Sequence, residues 1–470
     1  MQSSTSSGLR LHSLDGLRGV AAGIVLLHHL SMTVPAISNG YDNADKLVPF
    51  SPAWWAVASP LKVFVAGPEF VLVFFALSGF VLTLSPIAHR TGAARADGLV
   101  AAGYDWVSYY PRRIIRLGVP VAASMVLAYV VIMTLPHPSD PADGSWLTRQ
   151  AHPDTSAHNL ITETLLIVDP NHPSVNPPLW SLTWEMWFSL LLPAAVLIAL
   201  WSRRVPVLWA LLLLGVSMFG YIEHVDGASF MPAFALGALL GANAQRISAF
   251  ATRCQSHRWA TPAWFAVALT GAMALISYWL FRSVLGPVGD EILMGLRVPG
   301  ALLLVATAAF WPAASTLFTL RPITWLGKIS FSLYLVHSPV VVAFGLIFTG
   351  QYWWVGASLS LATAFGLAVL MYVLVEKPSR RLASWTGARA SALMASITGP
   401  IEVALALEEH RHSVEAAART TAAKIGTTEP VLESAQEPST VASSAAASSA
   451  AASSVAASPA AASPQLLTGQ

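Results

Sequence analysis

The sequence predicts an all-α integral membrane protein: a bundle of about ten transmembrane helices, with both termini in the cytoplasm and a disordered C-terminal tail. Three observations lead to this fold class. The 470 residues are 55% hydrophobic and only 11% charged, whereas about a quarter of the residues in a soluble domain are charged. Long apolar stretches recur along the chain. The segments that connect these stretches hold, in turn, many and few lysine and arginine residues.

The apolar stretches are each near the length that crosses a bilayer as an α-helix. They lie at 17–34, 63–84, 117–135, 179–200, 205–221, 229–244, 262–281, 298–318, 329–349 and 354–375. The eighth stretch contains the pair Trp311-Pro312, and the sixth is short and rich in glycine. We expect a multi-pass protein of the plasma membrane or an endomembrane.

The distribution of lysine and arginine tests this number of spans, because cytoplasmic segments hold an excess of basic residues. With the N-terminus inside, 18 of the 23 Lys and Arg residues up to Arg389 fall in inner segments. Only five fall in outer segments, among them Lys62 and Arg297. An odd number of spans would destroy this alternation, so the pattern favours ten spans and a cytoplasmic C-terminus.

These patterns divide the chain into three parts. They are a cytoplasmic N-terminal segment (1–13), a transmembrane domain (14–385) and a cytoplasmic tail (386–470) that is rich in Ser and Ala from about residue 438. A short helix is expected at 401–424, whereas 438–463 lacks the large apolar residues that offset the entropy of ordering. A proline-rich segment between the third and fourth spans is a candidate lid. The single cysteine, Cys254, excludes an intramolecular disulfide and a thiolate zinc site.

Charged and polar residues within the first span form the first candidate site. Asp15, Arg18 and His29 share one helical face, since eleven residues make about three turns. Arg18 and His29 are then about 16 Å apart along the helix axis, which places His29 near the middle of the bilayer. Charge at this depth is costly and indicates function. The alternative is a structural Asp15–Arg18 pair, with His29 bonded to another helix.

Two arginines begin the third span in the sequence YYPRRIIRLGVP. Arg113 and Arg116 fall on one helical face. The guanidinium group suits phosphate, because it donates two parallel hydrogen bonds. The alternative is ordinary anchoring of the span by positive charge on the cytoplasmic side.

Two later helices also carry polar stripes. Ser181 and Glu185 are four residues apart among three tryptophans, and a buried carboxylate there needs a partner on another helix, structural or functional. Ser330, Tyr334 and His337 form a stripe on an otherwise apolar helix. Glu69 is a further candidate for a buried acid, and Ser78-Gly79 for a close contact between helices.

Six segments together resemble one known family. LDGLRGVAAGIVLLHHL, FFALSGFVL, PRRIIRL, LWSLTWEMWF, ISFSLYLVHSPV and VEKP look like the membrane acyltransferase-3 family, the O-acetyltransferase-like proteins, in the order of that family. The resemblance implies a ten-helix enzyme that takes an acyl group, commonly acetyl, from cytoplasmic acyl-CoA. It implies delivery to a hydroxyl of a carbohydrate, glycolipid or small-molecule acceptor such as a secondary metabolite. Acyl-CoA would be a cosubstrate, with no permanently bound cofactor, no metal and no nucleic-acid partner.

The resemblance also assigns roles to residues. It implies that the essential histidine of the first span is His29, preceded by the basic Arg18, and that Arg113 and Arg116 bind the donor together with Arg18. The Ser and Glu of the Trp-Ser-Leu element match Ser181 and Glu185, and the late Tyr-Leu-x-His matches Tyr334 and His337. His28 leaves open which imidazole reacts, and the helical phase favours His29.

The expected mechanism is proton transfer by His29 as general base. Glu185, His337 or Tyr334 would orient the imidazole or stabilise the oxyanion, and Asp15 and Ser181 would support the site. A covalent acyl-histidine relay is the rival route. A different class of function, a polytopic transporter that uses the intramembrane His, Arg and Glu as a proton relay, is the alternative.

Overall fold

The structure, a computed structural model, describes residues 12–90, 104–135, 145–167, 174–282, 284–348 and 350–425. Across these residues the chain is helical and contains no strand. The α-helices, in chain order, are α1 (His12–Met32), α2 (Pro35–Asp42), α3 (Pro52–Val57), α4 (Gly67–Arg90), α5 (Trp106–Thr134), α6 (Ser145–Ala151), α7 (Ala157–Thr164), α8 (Leu179–Leu190), α9 (Leu192–Ser202), α10 (Pro206–Ile222), α11 (Asp226–Ala242), α12 (Ala244–Cys254), α13 (Ala260–Leu275), α14 (Ser277–Phe281), α15 (Gly286–Phe310), α16 (Pro312–Phe318), α17 (Arg321–Ile347), α18 (Trp353–Met371) and α19 (Lys377–Ile425).

Shorter helical turns complete these elements. Three 3₁₀ segments, Ala44–Lys46, Pro60–Val65 and Gly350–Tyr352, lie between α-helices. One turn of π-helix, Tyr372–Glu376, joins α18 to α19. The prediction of an all-helical protein is therefore confirmed for the described residues.

The helices that are long and apolar enough to cross a membrane are fewer than ten. Five helical stretches of the described residues meet this criterion alone, and eight do if each of three bent helix pairs is one span. The bends are 99° between α1 and α2, 69° between α8 and α9, and 65° between α11 and α12. Two further apolar helices, α10 and α13, are shorter than 18 residues. The ten spans and the cytoplasmic termini stay predictions.

Each predicted apolar stretch contains a helix, although several boundaries differ. The stretch 298–318 is divided, because α15 ends at Phe310 and α16 begins at Pro312. Proline has no N–H and its ring collides with the preceding turn, so it begins a new helix more readily than it continues one. Pro193, within the first turn of α9, accompanies the bend between α8 and α9 in the same way.

Glycines allow the helices that carry the predicted site to approach closely. A Cβ at Gly327 of α17 would collide with the backbone carbonyl of Asp15 in α1, and a Cβ at Gly19 would lie 2.5 Å from the backbone nitrogen of Gly327. In the same way a Cβ at Gly79 would collide with the carbonyl of Phe234 in α11, which confirms the predicted close contact at Ser78-Gly79.

The chain divides into two compact units, residues 1–399 and 400–470. In the second unit the structure describes 400–425, which are helical and include the helix predicted at 401–424. The low-complexity segment 438–463 lies outside the described residues, as do most of the predicted N-terminal segment and several prolines of the predicted lid.

Candidate active site

A cavity lies among α1, α4, α5, α8 and α17, at the end of the bundle where α1, α5 and α17 begin. It encloses about 740 Å³, part of it open to solvent. Six of the nine residues that the sequence predicts for the site line it: Arg18, Arg113, Arg116, Ser181, Glu185 and Tyr334. The motifs that carry these residues are far apart in sequence, and the fold brings them together.

Arg113 and Glu185 form an ion pair on one wall of the cavity. Nη2 of Arg113 lies 2.5 Å from Oε1 of Glu185, and the two side chains are 9% and 19% exposed. Nε of Arg113 donates to Oγ of Ser189 at 2.8 Å, and Ser189 donates to the carbonyl of Glu185 at 2.6 Å. The guanidinium is thus held in one orientation by two residues of α8, one turn apart.

The cavity carries net positive charge. Five cationic side chains and two carboxylates line it. Arg113 is paired with Glu185, and Arg380 with Glu376. Within the described part of the chain, no carboxylate lies in ion-pair range of the other three cations, Arg18, Arg116 and Lys328. Unpaired cations in a partly enclosed space attract an anionic ligand, and arginine suits phosphate in particular.

Ser181 and Tyr334 line this cavity and contact each other. Oγ of Ser181 lies 2.6 Å from the hydroxyl of Tyr334. Both oxygens also lie within hydrogen-bond distance of the carbonyl oxygen of Pro178, at 3.0 and 3.2 Å, so one hydroxyl donates to this carbonyl and the other donates to its neighbour or to the carbonyl. The ring of Tyr334 packs edge-on against Phe74 at 5.7 Å. The Tyr334 hydroxyl is therefore a polar group of the cavity wall that Ser181 and Pro178 hold in place.

His29 and His337 form a pair beyond Tyr334. Nε2 of His337 lies 3.0 Å from Nδ1 of His29, and the ring centre of His337 lies 5.7 Å from that of Tyr334. Neither histidine lines the cavity. His337 is 1% exposed, and the ring of His29 turns towards it and towards Trp146 of α6, at 5.6 Å. His29 therefore faces the interior of the bundle.

The backbone partners of the two imidazoles select their tautomers. Nδ1 of His337 lies 3.1 Å from the carbonyl oxygen of Leu333, and Nδ1 of His29 lies 3.1 Å from that of Val25. A carbonyl oxygen only accepts, so each Nδ1 carries the hydrogen. Nδ1–H of His29 can then also donate to Nε2 of His337, which leaves Nε2 of His29 with a free lone pair. That nitrogen is suited to remove a proton.

All nine residues that the sequence predicts for the site lie within a segment that matches one known family. Residues 11–375 match the family model Acyl_transf_3, described as an acyltransferase domain. The chain belongs to the acyltransferase-3 family. It is also similar to "Acyltransferase R4" of a Phoma species, with 29% identity over 140 residues, which are 26% of this chain and 29% of that protein. No solved structure matches.

In this acyltransferase-3 protein the two neighbouring histidines occupy different surroundings. Nδ1 of His28 lies 3.0 Å from the carbonyl of Val65 and 3.3 Å from the hydroxyl of Tyr41. Its ring also packs on the backbone of Gly67, where a Cβ would lie 2.6 Å from the imidazole. His28 thus binds the segment that precedes α4, whereas His29 binds His337. The prediction that His29 reacts remains a prediction, and this separation supports it.

Helix α1 ends at Met32, two residues before the end of the predicted stretch 17–34, and His29 lies in its last turn. The depth of His29 in the bilayer stays a prediction. No ion pair joins Asp15 to Arg18 among the described residues, and Asp15 does not line the cavity. Its carbonyl instead lies against Gly327.

Sequence reasoning missed Glu376, Arg380 and Lys328, which also line the cavity of the acyltransferase-3 protein. Glu376 ends the π-helical turn and is 1% exposed, and Ser332 donates to it at 2.5 Å. Single π-turns are often found at functional sites. VEKP was used only to identify the family, although its glutamate at the end of an apolar span was a signal of a buried acid.

Proposed function

We propose that this acyltransferase-3 protein moves an acyl group, commonly acetyl, from acyl-CoA to a hydroxyl of a carbohydrate, glycolipid or small-molecule acceptor. The observation that carries the proposal is the juxtaposition of a cationic cavity with the hydrogen-bonded pair of His29 and His337. The cavity offers Arg18, Arg116 and Lys328 to the phosphates of the donor. The lone pair on Nε2 of His29 is suited to activate the acceptor.

The reaction joins the acceptor oxygen to the acyl carbon and breaks the bond from that carbon to sulfur. As the hydroxyl attacks the thioester carbonyl, Nε2 of His29 takes its proton and then returns it to the departing sulfur of CoA. Atoms and charge balance, with the ester and the free thiol as products. His337 orients the ring by accepting from Nδ1–H, as the third member of a catalytic triad orients its histidine.

Tyr334 is the residue that separates the cavity from the histidines. Its hydroxyl, shared with Ser181 at 2.6 Å, is suited to donate to the thioester oxygen when negative charge develops there. For the thioester to reach His29, the Ser181–Tyr334 hydrogen bond must open and be replaced by a bond to the substrate. Glu185 then acts indirectly, because it holds Arg113 on the wall of the cavity.

The test is transfer of the labelled acetyl group of acetyl-CoA by the purified full-length protein. Alkyl glucosides and a glycolipid extract serve as acceptor probes. We expect labelled ester and an equal amount of free CoA. A carrier would release no CoA and form no ester, and this result would overturn the proposal. Label retained on the protein without acceptor would indicate the covalent acyl-histidine route instead of direct transfer.

A further inference from the structure

A second group of buried charges lies near His28, outside the cavity. We call Lys62, Glu69 and Arg297 the Lys62 cluster. Nζ of Lys62 lies 3.5 Å from Oε2 of Glu69, and Nη1 of Arg297 lies 3.8 Å from Oε1. The side chains of Lys62 and Glu69 are 0% and 1% exposed, and that of Arg297 is 10% exposed. The distribution of basic residues places both cations in outer segments between spans, where charged side chains usually contact water, so their burial is unexpected.

The stability of the fold does not by itself account for these three charges. Taking ions out of water is expensive, and well-packed apolar residues in place of a buried ion pair are often as stable or more stable. Aromatic rings surround the cluster: Lys62 lies 4.7 Å from the centre of Tyr41 and 5.1 Å from that of Trp279. Trp279 also donates to Glu69 at 2.7 Å. The packing thus holds the ammonium of Lys62 in one place.

The ammonium group is held at the backbone oxygen that also binds His28. The carbonyl of Val65 lies 3.2 Å from Nζ of Lys62, 3.0 Å from Nδ1 of His28 and 3.3 Å from the hydroxyl of Tyr41. A carbonyl oxygen has two lone pairs, so three donors compete for it. Lys62 also donates to the Tyr41 hydroxyl at 2.5 Å, and the oxygen of that hydroxyl lies 3.3 Å from Nδ1 of His28.

His28 in turn limits the position of His29. The two rings meet edge to face with their centres 5.1 Å apart. The imidazole of His28 also lies against Gly67, where a Cβ would be 2.6 Å from the ring and would displace it. A shift of the Val65 carbonyl would therefore move His28. The ring of His28 would then press on the imidazole of His29, which is hydrogen-bonded to His337.

We propose that Lys62 is a positioning residue of the transfer reaction. Paired with Glu69, its ammonium fixes the Val65 carbonyl and the Tyr41 hydroxyl around His28, and His28 keeps the imidazole of His29 in line with His337. The inference rests on the proposed function. Lys62 itself touches neither donor nor acceptor, so it influences the rate of transfer and not the binding of acyl-CoA.

The experiment compares Lys62→Met with Lys46→Met in the purified full-length protein. Lys46 is an exposed lysine of the same connecting region, bonded to Asn43 at 3.4 Å. With acetyl-CoA and alkyl glucosides as probes, Lys62→Met lowers kcat by between about tenfold and a hundredfold, because small displacements of a catalytic group have effects of that size. The KM for acetyl-CoA stays within about twofold in both variants, and Lys46→Met keeps the kcat of the wild type.

The inference is overturned if the kcat of Lys62→Met equals that of the wild type. It is also overturned if the KM for acetyl-CoA rises by as large a factor as kcat falls. If Lys62→Met does not accumulate as folded protein, Tyr41→Phe decides, because it removes one hydroxyl and leaves the charges paired. An unchanged kcat of Tyr41→Phe then overturns the inference as well. A wild-type protein that transfers no acetyl group contradicts the proposed function itself, which keeps the two failures distinct.

Discussion

Nε2 of His337 lies 3.0 Å from Nδ1 of His29, although 308 positions separate the two residues in the chain. The pair depends on how closely α1 and α17 approach, and Gly327 sets that approach. The geometry of the candidate base is therefore a property of a helix contact, and changes in that contact reach the reaction without touching the substrate.

Gly327→Ala tests this dependence. A methyl group at residue 327 meets the backbone of Asp15, so α1 and α17 must separate and the distance from His29 to His337 must increase. We expect kcat for acetyl transfer to fall by about a hundredfold, as measured by release of CoA from acetyl-CoA. Gly366→Ala in α18 is the matched control, since a Cβ there meets nothing within 4 Å. Equal activity of the two variants would contradict the prediction.

Tyr334→Phe removes a hydroxyl of the cavity wall and keeps the ring that packs on Phe74. If this hydroxyl stabilises the oxyanion, kcat falls by about 10² to 10³-fold with little change in the KM for acetyl-CoA. Tyr129→Phe, the same chemical change at an exposed position, serves as control. A higher KM for acetyl-CoA with an unchanged kcat would show that Tyr334 contributes to donor binding and not to the reaction.

The cationic residues of the cavity make a separate prediction about the donor. Arg116 lines the cavity and has no carboxylate partner within ion-pair range in the described structure. Arg116→Ala should raise the KM for acetyl-CoA by about tenfold or more, because the loss of one charge-assisted hydrogen bond to phosphate weakens binding by about that factor. The effect on kcat should be smaller. Arg112→Ala removes an exposed arginine of the same helix that does not line the cavity. Equal KM values for both variants would remove Arg116 from the donor site.

The ion pair of Arg113 and Glu185 predicts an effect on stability. Glu185→Gln leaves a mostly buried guanidinium without its counter-charge, at a cost of about 3 kcal/mol, visible as a lower melting temperature in detergent. The double variant Arg113→Met/Glu185→Leu should recover most of this loss, since it removes both charges, and should stay inactive. If the melting temperature of Glu185→Gln equals that of the wild type, the ion pair of Arg113 and Glu185 does not stabilise the fold.

Much of the site could be predicted because its residues lie in helices with regular spacing. Periodicity placed Arg113 and Arg116 on one face of α5 and aligned Ser330, Tyr334 and His337 on α17. It could not show that Arg113 pairs with Glu185, or Ser181 with Tyr334, because partners on different helices are chosen by tertiary packing. The family resemblance indicated which residues form the site, and the structure shows which of these residues contact each other.

Other features had no signal in the sequence. The distribution of basic residues assigned Lys62 to an outer segment, and it could not show that a carboxylate and aromatic rings enclose its ammonium. A π-turn inserts one residue into a helix without a distinctive composition, so the direction of Glu376 could not be predicted. The predicted stretch 17–34 ends within two residues of the end of α1 at Met32, but the bend of 99° into α2 was not predicted.

The most direct test of the account is the kcat of purified His29→Gln for transfer of labelled acetyl from acetyl-CoA to an alkyl glucoside. Glutamine keeps a polar side chain of similar size but cannot take the proton. The account predicts a kcat lower by about 10² to 10⁴-fold, with the thermal stabilisation of the protein by acetyl-CoA unchanged. A kcat within twofold of the wild type would contradict it.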